Sequence, residues 1–210
     1  MYFCSGFDIC CFLMRVARLI MVWLCCSILT TPIAASENTK PLPTDYLNSV
    51  KITFLSWFSG STKISYERAF PKLDQSGEIC ASLICAGYDK YQNNPLGFTL
   101  RYGHKFFLLD KDKLSLRGFY LRPELIYSYY WYDCQTDGSR TLAHTGAALA
   151  TMGYQYVWKR LLVDAWLGGG YAVGKEADTG YHHGFEVWHW LGGYNPNVAL
   201  SFSIRLGVCF

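Results

Sequence analysis

The final stretch of the chain alternates without a break. Leu200, Phe202, Ile204, Leu206, Val208 and Phe210 are apolar, and between them stand Ala199, Ser201, Ser203, Arg205, Gly207 and Cys209. A period of two places the two sets on opposite faces of a β-strand. A helix of this sequence would have no coherent apolar stripe. Such a strand separates an apolar medium from a polar one. A soluble sandwich gives the same pattern, so the direction of the apolar face is read from the rest of the chain.

The alternation recurs upstream in runs bounded by turn residues. Residues 161–173 form a strand with Asp164 among small neighbours, and 144–158 form another. Within 116–131, Arg122 and Glu124 fall on one face, and Leu121, Leu125, Tyr127 and Tyr129 on the other. Within 97–107, Phe98, Leu100 and Tyr102 alternate with Thr99, Arg101, Gly103 and Lys105. Residues 78–88, 63–70 and 51–58 complete a set of eight. The connections alternate as well. Residues 158–160, 109–113 and 71–77 are short polar turns at one end. Residues 89–96, 132–143 and 174–198 are longer loops at the other, with the short 59–62 as an exception. The expected fold is all-β, an eight-stranded antiparallel transmembrane β-barrel with up-and-down meander topology over residues 50–210.

Composition agrees. Charged residues are 17% of the chain, where a soluble domain carries about a quarter, and aromatics are also 17%. After residue 35 there is no apolar run of about 18 residues, which excludes a polytopic helical membrane protein. A net charge of +3 is too weak to argue for a nucleic-acid partner. Tyr127, Tyr129, Tyr130 and Trp131 end one strand, and Tyr154, Tyr156 and Trp158 end the next. On antiparallel neighbours these clusters fall at opposite rims, as two interfacial girdles require.

Residues 1–35 read as a secretory signal peptide, with Met14 as the expected true start. Arg15 and Arg18 are basic, 19–29 are apolar, and the small residues of 30–35 place cleavage after Ala35. Val22, Trp23 and Leu24 are too bulky for lipid attachment at Cys25. Residues 36–49 read as a polar periplasmic lead-in. Of nine cysteines, Cys80, Cys85, Cys134 and Cys209 lie beyond the signal, without the paired spacing of a zinc site. Cys80, Cys85 and Cys209 are expected as small apolar residues on strands, and Cys134 as a free thiol in a polar loop.

Three internal stretches, Ile64-Ser-Tyr-Glu-Arg68, Tyr120-Leu-Arg-Pro-Glu124 and Met152-Gly-Tyr-Gln-Tyr156, together with Phe210 and the alternating Ile204, Leu206 and Val208, resemble a family of small outer-membrane β-barrels of uncharacterised function in Gram-negative bacteria. The resemblance covers residues 50–210. It implies export through a cleaved signal peptide to the bacterial outer membrane. It also implies that Ile204, Leu206, Val208 and Phe210 serve as the signal read by the outer-membrane assembly machinery. Some relatives lie near genes for surface fimbriae. The family has no established catalytic residues, so the resemblance assigns none.

The polar faces collect Glu67, Glu78, Arg101, Lys105, Arg122, Glu124, Asp164 and Arg205. Facing lipid at midplane, each charge would cost about 2–4 kcal/mol, so these are expected inside, where eight strands leave a space that side chains nearly fill. The expected arrangement is a salt-bridged network that plugs the barrel; a proton or ion path is the alternative. Arg122 and Glu124, two apart on one strand, are expected to meet charges on neighbouring strands: Arg101 or Lys105 for Glu124, and carboxylates for Arg122. In the longest loop, His182, His183 and His189 stand near Trp188 and Trp190. These imidazoles could bind a metal, but no acidic or cysteine ligand has diagnostic spacing, so solvated histidines are expected, with no metal or other cofactor. Ser139, Asp137 and His144 are the candidates for a lipid A-modifying enzyme, all placed on one loop. The expected role is non-enzymatic: surface interaction, envelope integrity or surface-appendage assembly. The expected partners are outer-membrane lipids and lipopolysaccharide, the assembly machinery, and fimbrial or other surface proteins.

Overall fold

The computed structural model describes residues 46–53, 61–70, 73–85, 92–109, 116–134, 136–175, 182–190 and 193–210. The expected signal peptide, residues 1–35, and most of the lead-in lie outside the described residues. So do 54–60, the end of the first expected strand, and 110–115, most of one expected turn. All the strands belong to one unit, Thr44–Phe210.

The strands are β1 (Asn48–Ile52), β2 (Ser61–Phe70), β3 (Gln75–Ile84), β4 (Gln92–Leu109), β5 (Gly118–Cys134), β6 (Arg140–Trp158), β7 (Leu161–Lys175), β8 (Glu186–Trp190) and β9 (Gly193–Cys209). Each pairs antiparallel with its neighbour in the order β1 to β7 then β9, and β1 pairs with β9. These eight strands close into an up-and-down barrel. The seam runs from Ser49↔Cys209 to Ile52↔Leu206. Beyond it the Asn48 N–H donates to the Phe210 carbonyl at 3.0 Å, and the Phe210 N–H to that of Asn48 at 2.9 Å.

The strands β3 to β6 run a few residues into the expected turns and loops, and two further boundaries differ from the sequence reading. The barrel begins at Asn48, inside the expected lead-in, because Ser49 and Lys51 point inward on the seam strand and are fully buried. The segment 174–198, expected as a loop, contains β8 and the start of β9, which form a hairpin through Glu186↔Leu200, Val187↔Ala199, His189↔Tyr194 and Trp190↔Gly193. Asn195, Pro196 and Asn197 hide this strand from pattern reading, yet Gly193 and Tyr194 before them pair with β8 and Val198 after them with β7.

The two faces of the wall are inverted relative to a soluble protein. Outward stand Ile79, Leu83, Leu100, Leu125, Leu167, Phe202 and Ile204, with Leu83 65% and Phe202 74% exposed. Inward stand serines, threonines and charges, nearly all buried. Aromatics ring both ends of the outer face. Phe70, Phe106, Phe119, Tyr154, Tyr156, Trp158 and Phe210 are exposed at the end of the short turns, and Phe98, Tyr127, Trp131 and Tyr171 at the other. Tyr130 departs from the expected girdle. It is inward and fully buried, because adjacent residues of a strand cannot share a face and Tyr129 and Trp131 hold the outer one.

The lumen is filled in layers. At the short-turn end, Ala69, Leu116, Leu162 and Cys209 form an apolar cap. Near the opposite end lie two further apolar clusters, Ile126, Ala147, Leu149, Ala172, Phe185 and Ala199, and then Ile84, Tyr130, Tyr132 and Ala143. Charged side chains occupy the level between.

At that level the wall approaches its contents closely. A Cβ on Gly153 would lie 2.5 Å from both the Ala165 carbonyl oxygen and the Tyr120 hydroxyl. The carbonyl belongs to the neighbouring strand and cannot move. Gly153→Val should therefore lower the temperature at which the folded band converts to the unfolded one on a detergent gel, a loss of about 1–3 kcal/mol. Gly77→Ala, whose nearest neighbour would be Phe70 at 3.5 Å, should leave that temperature unchanged.

Candidate functional site in the barrel lumen

Strand parity sends one charge or more from nearly every strand to the same level. Glu67 (β2), Glu78 (β3), Arg101 and Lys105 (β4), Arg122 and Glu124 (β5), Asp164 (β7) and Arg205 (β9) all point inward, and none is more than 8% exposed. The structure thus gathers all eight sequence candidates into one lumen. It adds Lys51 from β1 and Gln155 from β6, both fully buried.

Lys51 and Lys105 share the carboxylates at the centre. The Lys51 ammonium pairs closely with Glu67, and with Glu78 at 2.6 Å and Asp164 at 3.2 Å. Lys105 lies 3.2 Å from Glu67, 3.2 Å from Glu78 and 3.0 Å from Asp164. Gln155 accepts from Lys105 at 2.6 Å and donates to Glu67 at 3.2 Å. The Tyr120 hydroxyl donates to Asp164 at 2.5 Å. Arg205 joins Glu78 to Asp164, closely at the first and at 2.8 Å at the second.

Arg122 and Glu124 differ in part from expectation. They pair with each other at 2.9 Å, and each also meets a neighbouring strand, Arg122 reaching Glu78 at 3.3 Å and Arg101 reaching Glu124 at 3.5 Å. The guanidinium stem is long enough to fold back along its own strand, so same-strand spacing does not forbid the pair. Above this level one indole holds the arginines together. The guanidinium carbons of Arg205, Arg122 and Arg101 stand 4.1, 4.7 and 5.8 Å from the Trp166 ring centroid, within cation–π range.

The histidines are not solvated as expected. Residues 182–185 turn into the lumen, with His182 and His183 fully buried. The His182 carbonyl accepts from Ser128 at 2.7 Å, and the Gly184 carbonyl from Arg101 at 2.5 Å and Ser201 at 3.1 Å. His182 stacks on Phe185 at 5.0 Å, and His183 meets Tyr130 edge-on at 5.0 Å. His183 has φ +55°, so packing holds a non-glycine residue in the left-handed region. Aromatic neighbours and backbone hydrogen bonds outweigh the solvation that a histidine-rich loop suggests. Among the described residues no group of three metal-ligating side chains forms; the His189 side chain lies outside them.

The enzyme candidates do not converge. Ser139 and Asp137 form an exposed turn with a 2.8 Å hydrogen bond. That bond and the Ser139 N–H hold the Asp137 carboxyl below its usual range. His144 lies on β6 instead, exposed and opposite Tyr129. Cys134, expected in a loop, ends β5, where it packs on the Ile84–Tyr130–Tyr132 cluster with its Sγ 2.9 Å from the Thr136 hydroxyl. Cys80 and Cys209 are buried on strands, and Cys85, just beyond β3, is half-buried. Sequence reasoning missed Lys51, Gln155, Tyr120 and Trp166. Each shares parity with a charge or hydroxyl on its own strand, which is the signal that finds them.

No protein-family model and no curated protein matches the chain. Among solved structures, the crystal structure of Neisserial surface protein A is similar at 13% identity and a TM-score of 0.46, covering 79% of this chain and 96% of that one.

Asp164 accepts from three cations and a phenol, so neutralising it takes one carboxylate partner from each of Lys51, Lys105 and Arg205 at once. Asp164→Asn should lower the unfolding temperature strongly, by the about 3–5 kcal/mol typical of breaking a buried pair. Arg140→Ala, which removes the exposed 2.8 Å pair with Asp133, should cost less than about 1 kcal/mol. Equal effects would contradict the burial of the network.

Proposed function

We propose that this chain is an integral outer-membrane β-barrel of a Gram-negative envelope. Its lumen is occluded, and it acts through its outer rim and loops rather than as an enzyme or pore. The carrying observation is the inverted wall, with large apolar side chains and two aromatic rings outside and a paired ionic network inside. In water such an outer face would be a continuous aggregation surface. In a bilayer it is the solvated face, and closure leaves no unpaired edge. Lipids and lipopolysaccharide are then the outer partners. Ile204, Leu206, Val208 and Phe210, on the outward side of β9, are the apolar row that an assembly machinery would grip.

The occlusion argues against diffusion. The ionic network, the inserted 182–185 turn and the apolar clusters fill successive levels of the lumen. The lipid A-modifying alternative loses support from His144, which stands on β6 rather than with the Ser139–Asp137 turn. Surface interaction, envelope integrity and appendage assembly remain the proposed roles, with fimbrial or other surface proteins as partners.

The protein should fractionate with outer membranes and show a heat-modifiable band. It should give no steady conductance in planar bilayers, and its deletion should leave the lipid A mass spectrum unchanged. Recovery in the soluble periplasmic fraction would overturn the membrane reading. A lipid A mass shift restored by the wild type but not by Ser139→Ala would restore the enzyme.

A further inference from the structure

The ionic network is unbalanced. Among the described lumen residues, Lys51, Lys63, Arg101, Lys105, Arg122 and Arg205 face only Glu67, Glu78, Glu124 and Asp164. That leaves an excess of two positive charges, and Lys63 is the one of these cations that no carboxylate reaches among the described residues. It shares the inward parity of Ser65 and Glu67 on β2, and among the described residues its ammonium has neither a carboxylate nor a hydrogen-bond acceptor. It lines a cavity of about 40 Å³ together with Arg101, Trp166, Ser203 and Arg205.

The cavity walls are rich in donors; their acceptors are the hydroxyls of Thr53, Ser201 and Ser203 and the Gly184 carbonyl, which already accepts from Arg101 and Ser201. No carboxylate is among its lining residues. The Trp166 Nε1 and Arg205 Nε atoms are buried and make no hydrogen bond. Across the strand pair from Lys63, the buried Ser82 hydroxyl is also unsatisfied. A buried donor left unpaired is costly. Lys63 is half-buried, and an anion between it and the unpaired Trp166 and Arg205 donors would satisfy those donors and offset the excess positive charge together.

We propose that this cavity is a binding site for a small monovalent anion, chloride in the native setting, held by Lys63, Arg205 Nε and Trp166 Nε1. The cavity has more room than the about 10–15 Å³ that a single water requires, so a halide fits, and the lack of a lining carboxylate sets the sign of the ligand. Arg101 adds positive field, with one of its two amino groups already committed to the Gly184 carbonyl at 2.5 Å.

Bromide is the probe. Crystals of the full chain grown in sodium bromide should show an anomalous peak in the cavity, within hydrogen-bond reach of Lys63 Nζ. In detergent micelles, bromide should raise the unfolding temperature above that in sodium gluconate of equal ionic strength, as ligand linkage requires. Lys63→Gln should raise the half-saturating bromide concentration about tenfold, the loss of one charge-assisted contact, while Lys63→Arg should retain binding. If Lys63→Gln does not fold, Trp166→Phe removes one donor and keeps the ring beneath the arginines, and should weaken bromide in the same sense. A cavity without an anomalous peak, holding water alone, would overturn the proposal. So would an unfolding temperature that rises equally in gluconate, or a bromide effect undiminished in both Lys63→Gln and Trp166→Phe.

Discussion

The short ladder between β1 and β9 is the constraint from which the rest follows. From Ser49↔Cys209 to Ile52↔Leu206 it joins the two ends of the meander and turns an open sheet into a ring. An open edge of this composition would expose backbone donors and acceptors beside an apolar face, a template for aggregation. Closure removes the edge and creates an inside. Parity then acts on every strand at once, and each polar residue of the inward set is brought to a shared axis.

Crowding the charges onto one axis is what makes them tolerable. An isolated buried Asp164 or Lys105 would be prohibitive. With seven strands contributing to the charged level, each carboxylate at its centre meets several cations. Buried pairs are not automatically stabilising, since desolvation offsets attraction. Their effect here is specificity. A strand shifted by one residue would turn its charges toward the apolar face, so the network selects the register that the turns alone do not fix. Trp166 contributes in a different way, giving three guanidiniums a common surface where direct repulsion would otherwise spread them.

Much of this was legible in the residues. Alternation in 199–210, 116–131 and 97–107 placed Arg205, Arg122, Glu124, Arg101 and Lys105 on the inward face, where the structure has them. Local pattern fails where pairing or packing decides. The 193–198 part of β9 carries Asn and Pro, and is held as strand by β8 at Gly193 and Tyr194 and by β7 at Val198. His182 and His183 look like loop residues because nothing in their neighbours announces that Ser128, Arg101 and Ser201 will hold their turn inside. Tyr130 departs from the girdle for a simpler reason, since nearness in sequence to Tyr129 and Trp131 does not override the alternation that separates it from them. Lys51 escaped because the reading starts the strand at residue 51 and leaves Ser49, whose parity reveals its face, in the lead-in.

The inserted turn of residues 182–185 is attached to the wall by side-chain donors from Ser128, Arg101 and Ser201, and contributes no rung to the barrel ladder. Filling and wall are therefore separable in energy. The turn can leave by a local opening whose free energy is set by a handful of side-chain hydrogen bonds and ring contacts, well below that of dismantling the sheet. Amide exchange in this molecule would consequently fall into two regimes, a slow one for the strands and a faster one for the turn that occupies their interior.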